Sequence, residues 1–463
     1  MKRPSFLKTL RLSMASLAIL ATAKAATPVP PNIVLIISDD HAWTDYGFMD
    51  HPHIQTPHLD KLAERSALFT RGYVPTALCR PALATLVTGQ YAHKHGITGN
   101  DPTRVANEEK YNALRETLIE KIDDHPTVPS LLGDRGYLSH QSGKWWEGNY
   151  KRGGFTHGMT RGFPEAGGRH GDDGLKIGRE GMEPVFDFID HAVAEEKPFF
   201  IWYAPFLPHT PHNPPDRLFQ KYKAMGIEND YIARYYAMVE WLDETCGELF
   251  GKIDEKNLTE NTLVIYIGDN GWIQDPEGPL YAPRSKQSAN EGGTRQPTMF
   301  SWPGTIAPGD RGDQLCSSID IVPTMLATAS AEIPDDLPGI NLLPILKSGE
   351  PTPRTEVFGE TFAHDITDLD DPEASLLYRW VIDDRWKLLL TYDGVVGRHA
   401  GSHPRDEKRP QLFDLHADPH EKHNLAAQNP ETVARLADRL QEWWPVTERQ
   451  VLTEWTDEPG EWE

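Results

Sequence analysis

Three unbroken hydrophobic runs stand out along the chain, at residues 33–37, 199–204 and 263–267. A run with no polar alternation predicts a strand that is buried on both faces. Segments with helical periodicity lie between the runs, for example the one that begins at Thr56. Alternating strands and helices predict an α/β fold in which a large, mostly parallel sheet is sandwiched by helices.

The pattern changes after a proline-rich stretch at residues 348–356. Residues 378–393 predict two strands of an antiparallel sheet, and residues 430–444 predict an amphipathic helix. The hydrophobic face of that helix comprises Val433, Leu436, Leu440 and Trp443. We therefore expect an N-terminal domain over residues 26–347 and a smaller C-terminal α+β subdomain with an antiparallel sheet over residues 355–463.

The first 25 residues have the pattern of a secretory signal peptide. Four cations precede an apolar run at residues 12–23, and Ala23 and Ala25 form a small-residue cleavage site. We therefore predict cleavage after Ala25 and a periplasmic or secreted mature protein. The run is too short to cross a bilayer comfortably, and no later stretch approaches the roughly 20 apolar residues that a spanning helix needs. We expect no membrane span.

The chain is strongly acidic, with a net charge of −23 at pH 7. Removal of residues 1–25, which hold five cations and no acids, lowers the net charge to −28. Such a surface argues against nucleic acid and anionic membranes as partners, and an anionic substrate would need a local cluster of cations. Three cysteines do not make a disulfide framework. At most Cys246 and Cys316 pair, which leaves Cys79 single.

Polar side chains follow the three predicted strands. Asp39 and Asp40 follow the first strand, His209 follows the second, and Asp269 and Asn270 follow the third. In a parallel sheet these strand ends meet at one edge, where ligands bind. Each pair alone is typical of a turn, but three carboxylates and an amide at one place need a cation. Because these groups are hard oxygen donors, they predict a calcium site, with magnesium less favoured outside the cell.

A short helix is predicted within "ALCRPALATLVTGQY", residues 77–91. Pro81 suits the first helical position and Gly89 a left-handed cap, so Cys79 is expected at or just before the N-cap. The helix N-terminus lowers a thiol pKa and favours a bound anion, which suits a nucleophile that faces an anionic substrate. A buried structural thiol is the alternative.

Two lysines and a histidine complete the candidate chemistry. Lys144 lies in "QSGKWWEG", an apolar setting that disfavours a lysine unless it meets an anion. Lys286 precedes the turn "EGG", and a solvated surface charge is the alternative for both lysines. His209 lies in a proline-rich turn, where it either protonates a leaving oxygen or has only a structural role in the turn.

With these features in place, the chain resembles the formylglycine-dependent type I sulfatases of the alkaline-phosphatase superfamily. The resemblance covers nearly the whole mature chain, through "PNIVLIISDD", "ALCRPALATLVTGQYAHKHG", "GKWWEG", "APFLPHTPH", "IGDNGW", "KQSANEGGTRQP" and "QLFDLHADPHEKHNLA". It implies hydrolysis of sulfate esters, on a sulfated carbohydrate in the case of a secreted enzyme. It also implies that a formylglycine-generating enzyme oxidises Cys79 to formylglycine (3-oxoalanine), with calcium bound beside it.

The resemblance also implies a role for each matching residue. Cys79 is the implied nucleophile precursor, and His209 is the implied acid for the leaving alcohol. The implied sulfate clamps are Lys144 and Lys286. The implied calcium ligands are Asp39, Asp40, Asp269 and Asn270.

The chain departs from the family's Cys-x-Pro-x-Arg motif. Where the family has Ser and Arg, this chain has Ala82 and Leu83. Position 83 lies one helical turn from Cys79, so the change removes a cation that would reach the nucleophile. Arg80 is the expected replacement as a substrate-binding residue, provided that the turn before the proline bends it inward.

A second departure lies in "GKWWEG", where Trp146 replaces the family's histidine and is expected to bind the substrate. His93 or His95 is a further candidate for the rebuilt pocket. Two alternatives to a divergent sulfatase stay open: a phosphate or phosphonate ester hydrolase of the same superfamily, and a catalytically impaired homologue that binds sulfated glycans. Turnover of a sulfate ester, of a phosphate ester or of neither distinguishes them.

Two loops are further candidates for substrate contact. Residues 151–174 have the glycine content and length of a flexible cover, and their Arg and His residues either meet additional sulfates or serve solubility. Residues 360–368, "ETFAHDITD", lie in the C-terminal subdomain. A plain inter-domain loop is the alternative for this second segment.

Overall fold

The computed structural model describes residues 30–397 and 407–452, together with Met1, His399, Gly401 and His403. The predicted signal peptide lies outside the described residues apart from Met1, as do residues 453–463 of the predicted C-terminal subdomain. The described strands are β1 (Asn32–Ser38), β2 (Ala67–Phe69), β3 (Arg71–Tyr73), β4 (Asp101–Pro102), β5 (Leu138–Gly143), β6 (His157–Gly158), β7 (Phe199–Ala204), β8 (Thr262–Gly268), β9 (Thr298–Ser301), β10 (Gly309–Asp310), β11 (Leu315–Ser317), β12 (Glu356–Phe362), β13 (Asp365–Ile366), β14 (Leu376–Asp383), β15 (Trp386–Thr391) and β16 (Gln411–Asp414). The described α-helices are α1 (Pro57–Glu64), α2 (Cys79–Thr88), α3 (Ala92–His95), α4 (Glu108–Glu120), α5 (Val128–Gly133), α6 (Glu183–Ala194), α7 (Asp216–Ala224), α8 (Asp230–Glu255), α9 (Glu291–Thr294), α10 (Ile321–Thr328), α11 (Leu343–Ser348) and α12 (Pro430–Trp443).

The centre of the fold is an eight-stranded sheet with the strand order β10-β2-β9-β8-β1-β7-β5-β6. Strands β8, β1, β7, β5 and β6 run parallel to one another, and β9 is antiparallel to both β8 and β2. The predicted mostly parallel sheet is therefore confirmed. The carboxyl ends of β1, β5, β7 and β8 share one edge of this sheet.

Strand β1 shows why its hydrophobic run is unbroken. Ile33, Leu35 and Ile37 enter one hydrophobic core, which contains residues of α2, α5 and α10. Val34 and Ile36 enter a second core on the opposite face, which contains residues of α1, α6 and α8. Successive side chains of a strand point to opposite faces, so a strand with helices on both faces has no solvated side.

The C-terminal part is a four-stranded antiparallel sheet in the order β12-β14-β15-β16, as the sequence predicts. Helix α12 packs on one face of this sheet, with Leu436 and Leu440 fully buried and Val433 and Trp443 partly buried. The other face packs against the N-terminal part, where Trp380 and Tyr73 belong to one core.

A buried ion-pair cluster also joins the two parts of the chain. Lys387 of β15 is fully buried and lies 3.0 Å from an oxygen of Glu291 and 3.1 Å from an oxygen of Glu421. Glu291 begins α9, shortly after Lys286. The C-terminal sheet therefore holds the segment that carries a predicted site lysine.

Helix α2 begins two residues earlier than its sequence predicts. Leu78 is the extended N-cap, Cys79 is the first helical residue and Pro81 is the third. Proline is tolerated there because the first N–H groups of a helix have no intrahelical partner. The helix ends as expected at Gly89, whose φ of 74° is left-handed.

All three cysteines are free and buried. Cys246 belongs to the core on one face of the large sheet and Cys316 to the core on the other. The sheet lies between them, so the conceivable Cys246–Cys316 disulfide is absent. Within the part of the chain that the structure describes, no helix combines the length and the apolar character needed to cross a membrane.

Candidate active site

A cavity of about 590 Å³ opens at the carboxyl edge of the large sheet. The predicted site residues that line this cavity are Cys79, Lys144, Trp146, His209 and Lys286. The predicted metal ligands are buried at the ends of β1 and β8, and they are Asp39, Asp40, Asp269 and Asn270. The structure therefore gathers these side chains in one place.

The buried carboxylates are paired with the two lysines. Asp39 Oδ1 accepts a hydrogen bond of 2.8 Å from Lys144 Nζ. Asp40 Oδ1 lies 2.6 Å from Lys286 Nζ and accepts a 2.7 Å bond from the amide nitrogen of Asn270. Asp269 Oδ1 accepts hydrogen bonds from the backbone N–H groups of Asp40 and Asn270, at 3.0 and 2.7 Å. One oxygen of each group is thereby fixed in direction.

Three oxygens of the same cluster are buried with no hydrogen-bond partner among the described residues. They are Asp39 Oδ2, Asp269 Oδ2 and Asn270 Oδ1. Leaving a buried polar atom unpaired is costly, and burial together with the neighbouring carboxylates raises the pKa values of Asp39 and Asp269. A hard cation that takes oxygen ligands would satisfy all three atoms. The donor set therefore fits calcium or magnesium.

Charge counting supports the same conclusion. The cluster holds three carboxylates and two ammonium groups, so its formal charge is −1 when all five groups are ionised. An excess negative charge repels an anionic substrate. A divalent cation changes the sign of the cluster, and an anion is then attracted to it.

Glycine explains how Lys144 reaches the site. Gly143 ends β5 with a φ of 84°, and a Cβ atom there would lie 1.8 Å from the carbonyl oxygen of Ala204. Only glycine allows this close approach. The backbone N–H of Lys144 then donates to the same carbonyl at 2.8 Å, which fixes the lysine at the strand end beside β7.

The thiol of Cys79 does not behave as its position at a helix start suggests. Its side chain is almost completely buried, and Lys286 Nζ lies 3.2 Å from its sulfur. Burial raises the pKa of the thiol to about 12, even though Lys144 and Lys286 lower it. The prediction of a lowered thiol pKa is therefore wrong, because desolvation outweighs the cations and the helix terminus. An unmodified Cys79 stays protonated and is a weak nucleophile.

His209 has its two ring nitrogens in different environments. Nδ1 donates to the carbonyl oxygen of Thr210 at 2.5 Å, and Nε2 lies 3.3 Å from Asp40 Oδ2. Burial and the positive charges of Lys144 and Lys286 hold the pKa of His209 well below its usual range. The hydrogen bond to Thr210 fixes the tautomer, so Nε2 is the atom that faces the site.

Arg80 does not take the position expected of it. Its guanidinium pairs with the carboxylate of Glu147, at 2.9 Å from Nε and 2.6 Å from Nη2, and both side chains are buried. Its Nη1 also donates to the carbonyl oxygen of Asn100. Arg80 is not among the described residues that line the cavity. The expectation that it bends inward to bind substrate is wrong, because a buried carboxylate behind the site holds it.

The two candidate histidines near α3 also lie elsewhere. His93 pairs with Glu360 at 2.6 Å and stacks on Trp444 at the C-terminal sheet. His95 is buried beside Thr85 of α2. Neither belongs to the described cavity lining, so neither replaces the histidine that Trp146 displaces.

Several described cavity residues were not singled out by the sequence reasoning. They include Asn100, Arg169, His170 and His364. Arg169 and His170 come from the loop over residues 151–174, and His364 comes from the segment over residues 360–368. The sequence marks both loops as candidates, but only the fold tells which of their side chains face the cavity.

A mostly parallel sheet that carries paired carboxylates, lysines and a helix-borne cysteine at its carboxyl edge is typical of hydrolases of the alkaline-phosphatase-like superfamily. The family model described as "Sulfatase" matches residues 31–331. The chain therefore belongs to the sulfatase family, whose members are sulfuric ester hydrolases. A second model, described as "N-sulphoglucosamine sulphohydrolase, C-terminal", matches residues 285–444.

Named relatives extend over most of the chain. It is 28% identical to N-acetylgalactosamine-6-sulfatase of Canis lupus familiaris, an alignment that covers 93% of this chain and 87% of the relative. It is 30% identical to human arylsulfatase A, covering 91% of this chain and 89% of the relative. Among solved structures, Ps i-CgsB in complex with k-i-k-neocarrahexaose is 25% identical, with a TM-score of 0.71 and coverage of 90% and 94%.

Proposed function

We propose that this protein is an exported sulfatase that removes sulfate ester groups from a sulfated carbohydrate. The proposal takes the reaction class from the sulfatase family. The carbohydrate substrate is supported by two similar proteins, one named for N-acetylgalactosamine-6-sulfate and one bound to neocarrahexaose. Export is supported by the signal-peptide pattern of residues 1–25.

The observation that carries the proposal is the convergence of three unpaired buried oxygens on Asp39, Asp269 and Asn270 beside two lysines and Cys79. A calcium ion held by these oxygens and Asp40 would supply positive charge to a sulfate oxygen, and formylglycine made from Cys79 would supply the nucleophile. For sulfuryl transfer, a protein mainly has to position the nucleophile against the sulfate and stabilise the charge on the sulfate oxygens.

The chain's own residues have distinct tasks in this scheme. Lys144 is paired with Asp39 and Lys286 with Asp40, and each can turn its ammonium group from its carboxylate toward a bound sulfate. His209 presents Nε2 to the site, but its low pKa and the Nδ1–H bond to Thr210 leave Nε2 without a proton in the resting protein. A bound anionic substrate would raise this pKa, and the proton that Nε2 then takes up can pass to the leaving oxygen. Burial raises the pKa of the Cys79 thiol, so the unmodified residue would be a poor nucleophile, which supports the proposed conversion.

The first test concerns the conversion of Cys79. The chain is expressed with a formylglycine-generating enzyme, and the tryptic peptide over residues 72–94 is weighed accurately; Arg80 resists trypsin because a proline follows it. The aldehyde lacks the sulfur and two hydrogens of the thiol and carries one oxygen in their place, so the peptide becomes lighter. Simple oxidation would make it heavier. The L83R variant, which restores the family motif, is the matched positive control. Trypsin also cleaves after the arginine that this variant introduces, so its Cys79 peptide covers residues 72–83 and is compared with its own unconverted form.

The second test concerns turnover. Sulfate release is measured from sulfated saccharides, beside phosphate release from a phosphate monoester, with C79A as the inactive control. Sulfate release that disappears in C79A supports the proposal. A peptide that keeps its thiol, together with faster phosphate than sulfate release, would overturn it in favour of a phosphate or phosphonate ester hydrolase. Binding of sulfated saccharide without any turnover would indicate an impaired homologue.

A further inference from the structure

We propose that Arg169 forms a second anion-binding subsite, which holds a sulfate or carboxylate of the substrate other than the sulfate that is hydrolysed. The inference rests on the proposed function for its substrate class. It adds that the preferred saccharide carries at least two anionic groups.

Asp101 and Trp146 fix the guanidinium group of Arg169. Its Nε donates to Asp101 Oδ1 at 3.0 Å, and its Nη2 donates to Asp101 Oδ2. The guanidinium carbon Cζ lies over the indole of Trp146, 4.6 Å from the ring centroid. A guanidinium has five N–H donors in a fixed fork. Asp101 occupies one edge of that fork, and the described contacts of Arg169 leave Nη1 for a ligand.

The carboxylate of Asp101 also binds a second arginine. Asp101 is buried, and it also accepts a hydrogen bond of 3.1 Å from Arg115 Nη2. Burial alone would raise the pKa of Asp101, but the hydrogen bonds and positive charges of the two arginines outweigh this effect and lower the pKa below its usual value. The carboxyl group therefore stays ionised. Two cations therefore share one carboxylate. Arg169 faces the cavity with about a third of its side chain exposed, whereas Asp101 and Arg115 are not among the described lining residues.

Arg169 and the two lysines are bonded to different carboxylates. Lys144 and Lys286 are bonded to Asp39 and Asp40 at the sheet edge, whereas the carboxylate partner of Arg169 belongs to β4. The cavity of about 590 Å³ lies within the range that holds small-molecule ligands, roughly 300–1,000 Å³. This volume is sufficient for a sugar unit together with its anionic groups.

The wall around Arg169 is built from both parts of the chain. Strands β4 and β13 pair in parallel, with Asp101 opposite Asp365. The neighbouring His364 lines the same cavity, and its Nε2 lies 3.3 Å from the amide nitrogen of Asn100. This ladder fixes the backbone at Asp101, so the carboxylate that orients the Arg169 guanidinium has a fixed position although Arg169 itself belongs to the loop over residues 151–174.

Equilibrium binding to the C79A chain tests the proposal without requiring turnover. Isothermal titration calorimetry is carried out with three disaccharides: one with a single sulfate ester, one with a second sulfate ester, and one with the single sulfate and a uronate carboxylate. We expect a dianionic ligand to bind about 10- to 100-fold more tightly than the monosulfated one, as for a charge-assisted hydrogen bond. The ligand that gains affinity identifies sulfate or carboxylate as the second group.

Two further variants locate the effect. R169Q in the C79A background is expected to lose the advantage of the dianionic ligand and to keep the affinity for the monosulfated one. R115Q is the matched control, because it removes the other cation of the same cluster without touching the cavity, and it should keep the advantage. The proposal is overturned if the parent shows no advantage, if R169Q keeps it, or if both arginine variants lose it. Sulfate release by the matured wild-type protein tests the proposed function separately.

Discussion

The buried pair between Arg80 and Glu147 is expected to make the protein sensitive to the loss of either partner. Only 2% of the Arg80 side chain and 3% of the Glu147 side chain are exposed, and two short hydrogen bonds join them. The substitutions R80M and E147L each leave one charge buried without its partner. Breaking such a pair costs about 3–5 kcal/mol. The double variant R80M/E147L buries no charge, so it should be more stable than either single variant.

The assay is urea unfolding of all four proteins, followed by tryptophan fluorescence. Each single variant should lose about 3–5 kcal/mol in the free energy of unfolding, and the double-mutant cycle should show strong coupling between the two positions. The reasoning is refuted if either single variant loses less than about 1 kcal/mol, or if the two losses simply add. Additivity would mean that the two side chains do not depend on each other.

Three further predictions concern the metal cluster, the domain contact and acid stability. Calcium at about 100 times its Kd should stabilise the wild-type protein by about 2.7 kcal/mol, and D269N should lose most of this gain in a thermal-shift titration because it removes a ligand charge. K387M leaves Glu291 and Glu421 together in a buried site, so its unfolding free energy, measured in urea, should fall by about 3–5 kcal/mol. Because the folded pKa of Asp101 lies below the unfolded value of about 3.9, its stabilisation is present above that pH and is lost as the pH falls. D101N should therefore lose less stability than the wild type between about pH 5 and about pH 2, and equal losses would contradict the assigned ion pairs.

Local sequence patterns were sufficient to predict the large sheet and the polar residues at its edge. The run at residues 33–37 is hydrophobic because both faces of β1 are covered. Asp39 and Asp269 follow their strands directly, and parallel strands bring such residues to the same edge. A short motif and a topological rule therefore suffice to assemble the carboxylate cluster.

Contacts between distant residues could not be predicted in this way. Arg80 and Glu147 are 67 positions apart, and nothing in the local sequence marks a buried carboxylate as the partner. Asn100 and His364 are 264 positions apart and meet through β4 and β13, two-residue strands with no hydrophobic signature. The pKa of Cys79 depends on its depth of burial, which the sequence around it does not reveal.

The pairing of β4 with β13 brings the C-terminal part of the chain to the cavity. The candidate metal ligands and both lysines come from the N-terminal part, whereas the C-terminal part supplies His364 to the cavity wall. Exchange of the C-terminal part between related chains would therefore change this wall of the cavity. The lysine at position 286 would keep its place only if the new part also supplied a cation to Glu291, as Lys387 does here.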